Sequence, residues 1–174
     1  MFGKKKINKL IEDIDRYFDL IDQAVLVFKD GVRNYLYSNT KDFNENLQKM
    51  SSLEGETEVL RREIENALYT QTALVRSRGD IMRLFEKTKS ITDILNDSLF
   101  QFEIETPFIP TVLNAEFMKL TEFSTLAVES VVPAAKAYFK APETVPDKIS
   151  RAYFYEKEAV KYSQTIKRTV FHSM

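Results

Sequence analysis

Hydrophobic residues recur at alternating steps of three and four along five long stretches of the chain, which is the spacing of α-helices with one buried side. Prolines and an Asn-Thr pair separate the stretches. The pattern predicts helices over residues 7–36, 42–69, 78–102, 111–139 and 146–171. Connections this short join antiparallel neighbours, so we expect one domain over residues 1–174, an all-α antiparallel bundle.

The second predicted helix carries charged residues at positions where the apolar residues at its start predict a buried side. Extending the stripe of Phe43, Leu47 and Met50 at about 100° per residue places Glu54 about 20° from its centre, Glu58 about 60° away and Arg61 almost on it. Glu54 and Glu58 lie one turn apart and repel unless a cation lies between them. Two kinds of cation fit.

The first kind is a basic side chain: Arg61, Arg62 or a residue of a neighbouring helix would form an interior or boundary ion pair. The second kind is a metal ion, because carboxylates four residues apart on a helix point the same way and suit a hard cation. The sequence leaves both interpretations open.

Three aspartates of the third predicted helix can also be interpreted in two ways. Asp80 ends a serine-x-x-acid start signal that begins at Ser77, so it either caps the helix or binds a ligand. Asp93 and Asp97 lie off the apolar stripe. They form a solvated acidic edge or a surface ligand patch.

The composition argues against several classes of function. The chain has no Cys, its one His (His172) lies near the end, and its glycines are isolated. Thiolate chemistry, a Ser-His-Asp triad, a Glu-x-x-His di-metal oxidase and a phosphate-binding glycine loop are therefore not expected, and neither is an enzyme. A formal net charge of −1 gives no case for nucleic acid.

The chain shows no apolar run of membrane-spanning length, and residues 1–10 lack a signal-peptide core, so we expect a cytoplasmic protein. Four lysines precede the first acid: Lys4, Lys5, Lys6 and Lys9. They belong either to a solvated helix start or to a peripheral contact with an anionic membrane face.

The chain also shows an internal echo. Laid over Glu156–Phe171, the stretch Glu54–Tyr69 aligns Glu54 with Glu156 and Ile64 with Ile166. This predicts a three-helix repeat over residues 7–103 and a partial second repeat over residues 111–172. A third helix of the second repeat is missing, and a bare apolar groove is rare in a monomer. We therefore expect a homodimer, or another partner that fills the groove.

Four stretches resemble the PhoU family, and most closely the PhoU-like proteins encoded beside Pit-type phosphate transporters. They are MFGKKK, YFDLIDQAV, SLEGETEVLRREI and SRGDIMRLFEKTKSITDIL. The resemblance implies two three-helix repeats, which would account for the echo. It also implies metal binding through acid-x-x-x-aspartate motifs on the helices of each repeat.

Only part of that metal motif is present. Glu54 stands at the first position of one motif, and Glu58 replaces its usual aspartate. Asp93 matches a second motif, whose other acid is replaced by Lys89. Glu156 matches a third motif, whose partner position is Val160. The resemblance thus gives Glu54, Glu58, Asp93 and Glu156 as candidate metal residues, and because only the first motif keeps both acids, we expect a single divalent or ferric ion at Glu54 and Glu58, or none. The candidate ion-pair or partner residues are Arg61, Arg62, Asp80 and Asp97.

The resemblance implies a non-enzymatic regulatory or accessory protein of phosphate transport. Its partner would be a phosphate transporter or a sensor protein at the membrane surface, contacted through a helix face. The alternative is a helical scaffold or dimerisation module that has lost the family's metal site.

Overall fold

The computed structural model describes the backbone of residues 2–70 and 78–172, and the side chains of residues 7–70 and 78–171. These ranges hold five α-helices and no strand, which confirms the predicted all-α bundle. The helices are α1 (Phe2–Leu36), α2 (Thr40–Thr70), α3 (Arg78–Glu105), α4 (Asn114–Lys140) and α5 (Val145–His172). None of them, as far as they are described, is long and apolar enough to cross a membrane.

The observed helix ends differ from the predicted ends where polar residues continue a helix. Helix α1 begins at Phe2 rather than at residue 7, because its lysines form helix well without adding to the apolar stripe. Helix α4 begins at Asn114 rather than at residue 111, because a 3₁₀ turn over Thr111–Leu113 follows Pro110.

Helix α1 is the centre of the bundle: it packs against α2, α3 and α4. The turn over residues 37–39 makes α1 and α2 antiparallel. Helix α3 runs parallel to α1, because Tyr17 meets Phe85 at one end and Tyr35 meets Phe102 at the other. Helix α5 packs mainly on α4 and therefore lies at the edge of the bundle.

An aromatic cluster forms the core between α1 and α3. Tyr17, Phe18 and Phe85 are fully buried, and the Tyr17 and Phe85 ring centroids lie 4.7 Å apart. The Tyr17 hydroxyl donates to the Phe85 carbonyl oxygen at 3.0 Å and lies 3.1 Å from the Thr88 hydroxyl. Burial raises the pKa of Tyr17, so the phenol stays protonated. The polar end of this buried ring is therefore satisfied inside the protein.

Three ion pairs join α1 to α4 on the outside of the bundle. Lys140 Nζ lies 2.8 Å from an Asp15 oxygen, and Lys136 Nζ lies 2.6 Å from Asp19. Lys29 and Glu129 form the third pair at 4.0 Å. Their order along both helices shows that α4 runs antiparallel to α1.

The buried side of α2 differs from the predicted stripe. Leu53, Thr57 and Leu60 are buried, whereas Glu54 and Arg61 are only half-buried. The observed side repeats every seven residues (Phe43, Met50, Thr57, Ile64), and such a stripe drifts by about 20° per repeat around a straight helix. Our extrapolation at a fixed angle of about 100° per residue therefore placed Glu54 and Arg61 too close to its centre.

Helix α4 also buries a different side from the predicted one. The three–four spacing predicts a buried stripe of Leu113, Phe117, Leu120, Ser124, Ala127, Val131, Ala134 and Tyr138. Leu113 and Ala134 are buried, but Phe117, Leu120 and Ser124 are half-buried. Thr121, Thr125, Val132 and Ala135 are buried instead. Helix α4 packs against α1 on one side and α5 on another, so its apolar residues divide between two contacts and no single stripe describes them.

The core cluster predicts a large difference between two phenylalanines of α3. Phe85→Ala should lower the free energy of unfolding by about 3–5 kcal/mol, because it leaves a cavity beside Tyr17 and Phe18. Phe100→Ala, at an exposed position, should change it by less than about 0.5 kcal/mol. Urea unfolding followed by circular dichroism measures both, and similar losses would contradict the assignment of this core.

Candidate functional site

Lys89 lies between two carboxylates at the boundary of α2 and α3. Its ammonium group donates to Glu54 of α2 and to Asp93 one turn along α3. Only 11% of the Lys89 side chain is exposed, whereas Asp93 is half-exposed. The expectation that Glu54 lies at a helix boundary beside a cation is confirmed, and the cation is a basic residue of the neighbouring helix.

Two opposing effects act on Lys89. Burial is the largest single effect and by itself lowers the pKa of Lys89, but the hydrogen bonds to Asp93 and Glu54 and the negative charges of these carboxylates together outweigh it. The pKa of Lys89 is therefore raised from its ordinary value, and the group remains charged at neutral pH. A permanent positive charge thus separates the Glu54 and Asp93 carboxylates.

Glu58 has cations of its own, on the same helix. Arg61 donates through Nε at 2.9 Å and through Nη2 at 3.0 Å, so that it holds both Glu58 oxygens. Arg62 Nε adds a third bond at 2.6 Å. The Arg61 and Arg62 guanidinium groups lower the pKa of Glu58 to about 2. Arg61 also bonds Glu65, a pairing that we did not predict.

The remaining candidates lie apart from this group. Glu156 is exposed on α5, which packs on α4 rather than on α2. Asp80 and Asp97 are exposed, and neither forms an ion pair with a described side chain. The cap expected at Ser77 falls outside the described residues.

The four predicted metal ligands do not fit a metal site in this arrangement. A metal ion needs free carboxylate oxygens, yet Glu54 and Asp93 are bonded to an ammonium and Glu58 to two guanidinium groups. Within the described ranges, no three acidic, His or Cys side chains converge as metal ligands would. The arrangement instead joins α2 to α3 through the ion pair of Glu54 and Lys89.

A cavity of about 530 Å³ lies at the turn between α1 and α2. Its walls are largely aromatic and aliphatic, with Tyr35, Phe43, Phe102 and Phe108 among them, and Glu103 supplies a charge. The Tyr35 hydroxyl already has a hydrogen-bond partner, since it donates to the Pro107 carbonyl oxygen at 2.9 Å. This cavity therefore offers apolar contact rather than a set of reactive groups.

Two relatives match nearly the whole chain. A UPF0111 protein of Thermotoga maritima is 25% identical over 170 residues, which are 98% of this chain and 79% of the relative. The UPF0111 protein PH1389 of Pyrococcus horikoshii is 25% identical over 179 residues, with 97% and 79% of the two chains covered. Neither name refers to phosphate, to a metal or to an activity. No family model matches the chain, and no solved structure matches it.

The Lys89 pairs predict a measurable cost of removing the ammonium. Lys89→Met should lower the free energy of unfolding by about 1–2 kcal/mol at pH 7, because Glu54 and Asp93 lose their shared partner. The control is Lys87→Met, an exposed lysine of the same helix, which should change it by less than about 0.5 kcal/mol. Equal effects in urea unfolding would show that the pairs contribute nothing.

The low pKa of Glu58 predicts an acid-dependent contribution to stability. The pKa is about 2 in the folded protein and 4.5 in an unperturbed carboxyl group, so the contribution is present above pH 4.5 and is lost as the pH falls towards about 2. Glu58→Gln should therefore destabilise the protein at pH 7, by at most about 1 kcal/mol for an ion pair at a helix surface.

The difference between wild type and Glu58→Gln should vanish near pH 2, as measured by denaturant unfolding across the pH range. Asp97→Asn provides the control, because Asp97 is exposed and pairs with no described cation. A difference that stays constant from pH 7 to low pH would refute the role of the Arg61 and Arg62 bonds.

Proposed function

We propose that the chain is a non-enzymatic regulatory or accessory protein of phosphate transport that acts through protein–protein contacts. The phosphate link rests on the resemblance of its helix sequences to the PhoU-like proteins. The contact mechanism rests on one structural observation, a helix pair whose apolar side is only half-covered. We call this side the α4/α5 seam and define it by Phe123 of α4 and by Tyr155, Tyr162 and Val170 of α5.

Helices α2 and α5 are covered to different degrees at equivalent positions. In the internal echo, Leu53, Leu60 and Leu68 of α2 correspond to Tyr155, Tyr162 and Val170 of α5. The three leucines are buried, whereas their counterparts are half-buried. The cause is packing: α2 contacts both α1 and α3, whereas α5 packs mainly on α4. No described helix takes beside α5 the place that α3 takes beside α2.

The chemistry of the α4/α5 seam suits a protein partner. Phe123 stacks on Tyr162 with ring centroids 5.3 Å apart and lies 6.3 Å from Tyr155. Aromatic residues and tyrosine in particular are enriched in protein interfaces, because they supply large apolar contact and a hydroxyl that tolerates water. A helix with an apolar stripe would cover this surface. We propose that a phosphate transporter, a sensor protein or a second copy of this chain supplies it.

A second candidate function is a scaffold or dimerisation module without metal. The Lys89 ammonium favours it, because a fixed positive charge lies between the carboxylates that the family resemblance would give to a metal. For this candidate, we expect no stoichiometric metal in protein purified without chelators, and no effect of the protein on phosphate uptake.

Phosphate uptake tests the proposed function. Deleting the gene should change the uptake of radiolabelled phosphate by the cells, and the wild-type gene should restore it. Tyr162→Ala should fail to restore it, because the variant weakens the α4/α5 seam. Val59→Ala is the control, because Val59 is exposed on α2, away from that seam. Circular dichroism confirms that both variants fold.

Two results decide the outcome. Uptake that does not respond to the deletion would overturn the role in phosphate transport. Uptake that responds but does not distinguish Tyr162→Ala from Val59→Ala would overturn the α4/α5 seam as the contact surface. Light scattering of the purified proteins at micromolar concentration identifies the partner class, since a wild-type dimer that Tyr162→Ala dissociates indicates a second copy.

A further inference from the structure

The outer side of α5, opposite the bundle, carries exposed apolar residues in a line. Tyr153, Val160 and Phe171 are 64%, 45% and 77% exposed. At about 100° per residue they project within about 20° of one another, so they form one narrow row along the helix. Polar residues interrupt the row, so it is a set of separated apolar groups rather than one contiguous patch.

Basic residues flank this row on both sides. Lys157, Lys161 and Arg168 project within about 90° on one side, and Lys167 projects about 30° away on the other, where the exposed acid Glu156 also projects, about 50° from the row. All four are exposed, and Lys161 also bonds Glu158. Helix α5 has six basic and three acidic residues, whereas the whole chain has a formal net charge of −1. Positive charge is therefore concentrated on this edge helix.

We propose that this outer side of α5 docks on the surface of an anionic lipid bilayer. An apolar row with lysines and arginines beside it is the pattern of a helix that lies in a membrane interface, where the row enters the headgroup region and the bases meet lipid phosphates. A helix of 28 residues is about 42 Å long and lies at the edge of the bundle, so it can lie flat on a plane.

The spacing of the row favours a bilayer over a protein groove. A helix that enters a groove presents a run of apolar anchors at i, i+3, i+4 and i+7, whereas the i+3 and i+4 positions after Tyr153 are Glu156 and Lys157. Tyr153 and Val160 are seven residues apart, and Val160 and Phe171 are eleven apart, with polar residues between them on the same side. A lipid interface accepts such separated apolar groups, because each one enters the headgroup layer independently. This surface differs from the α4/α5 seam, and the inference does not depend on the link to phosphate.

Vesicle flotation with the full chain tests the proposal. We expect binding to vesicles that contain about 40% phosphatidylglycerol in phosphatidylcholine, and at least tenfold weaker binding to phosphatidylcholine alone. Raising the salt concentration from about 0.05 M to about 0.5 M should release the protein, because salt screens the basic residues. Equal binding to both vesicle types, or no binding at low salt, would overturn the proposal.

Matched charge reversals identify the surface. The double variant Lys167→Glu, Arg168→Glu should weaken binding to the anionic vesicles by at least tenfold. The control double variant Lys41→Glu, Lys49→Glu changes the net charge by the same amount at exposed positions of α2 and should bind as the wild type does to within about twofold. Equal losses in the two double variants would show that net charge, and not this side of α5, governs the binding.

A fluorescent reporter shows whether the apolar row enters the lipid. The chain has no Trp, so Tyr153→Trp introduces a single reporter in the row, and Tyr37→Trp places one on an exposed turn. Anionic vesicles should shift the emission of Tyr153→Trp to the blue and leave Tyr37→Trp unchanged. Should neither emission shift, the docking geometry is wrong. A self-association that Tyr153→Ser and Val160→Ser abolish, without any vesicle binding, would instead identify this side as a protein interface.

Discussion

The packing of α1 against three helices is the constraint from which the rest of the architecture follows. Its buried ring pair, Tyr17 and Phe18, fixes α3 through Phe85, and its outer carboxylates hold α4. Helix α1 contacts α2, α3 and α4, whereas the main contact of α5 is with α4. Helix α5 therefore packs on α4 at the edge of the molecule. The half-covered seam and the exposed outer side of α5 are both consequences of that position.

The region between α2 and α3 is held by ion pairs between side chains, whereas a metal ion there would need free carboxylates. An ammonium held by two acids needs no ion from solution, and the hydrogen bonds to Asp93 and Glu54 keep it charged despite burial. The same applies to Glu58, which two guanidinium groups neutralise from the adjacent turn. This region is thus suited to holding two helices together.

The sequence predicted the helices well, because the spacing of apolar residues depends only on local geometry. Its errors have physical causes. A stripe extended at a fixed angle ignores the drift of a seven-residue repeat, so it places Glu54 and Arg61 too close to the centre of the buried side. The partner of Glu54 could not be read from α2 alone, because Lys89 lies 35 positions away on another helix.

Some of the missing information was nevertheless present in the sequence. Lys89 stands four residues before Asp93, where one turn of helix brings the ammonium and the carboxylate together, and an antiparallel α2 and α3 bring it opposite Glu54. The exposed row of α5 does not follow from the sequence alone, because apolar periodicity identifies the buried side of a helix and says nothing of apolar residues on its other side.

The two surfaces proposed for α5 can act at the same time. The seam residues Tyr155, Tyr162 and Val170 are centred about 140° around the helix from the row of Tyr153, Val160 and Phe171. A bilayer beneath the row would leave the seam turned away from the lipid rather than covered. A helix from a membrane protein could then approach the seam along the membrane surface. Membrane contact would confine the chain to the plane in which such a partner lies, which raises the local concentration of the partner without any added contact energy.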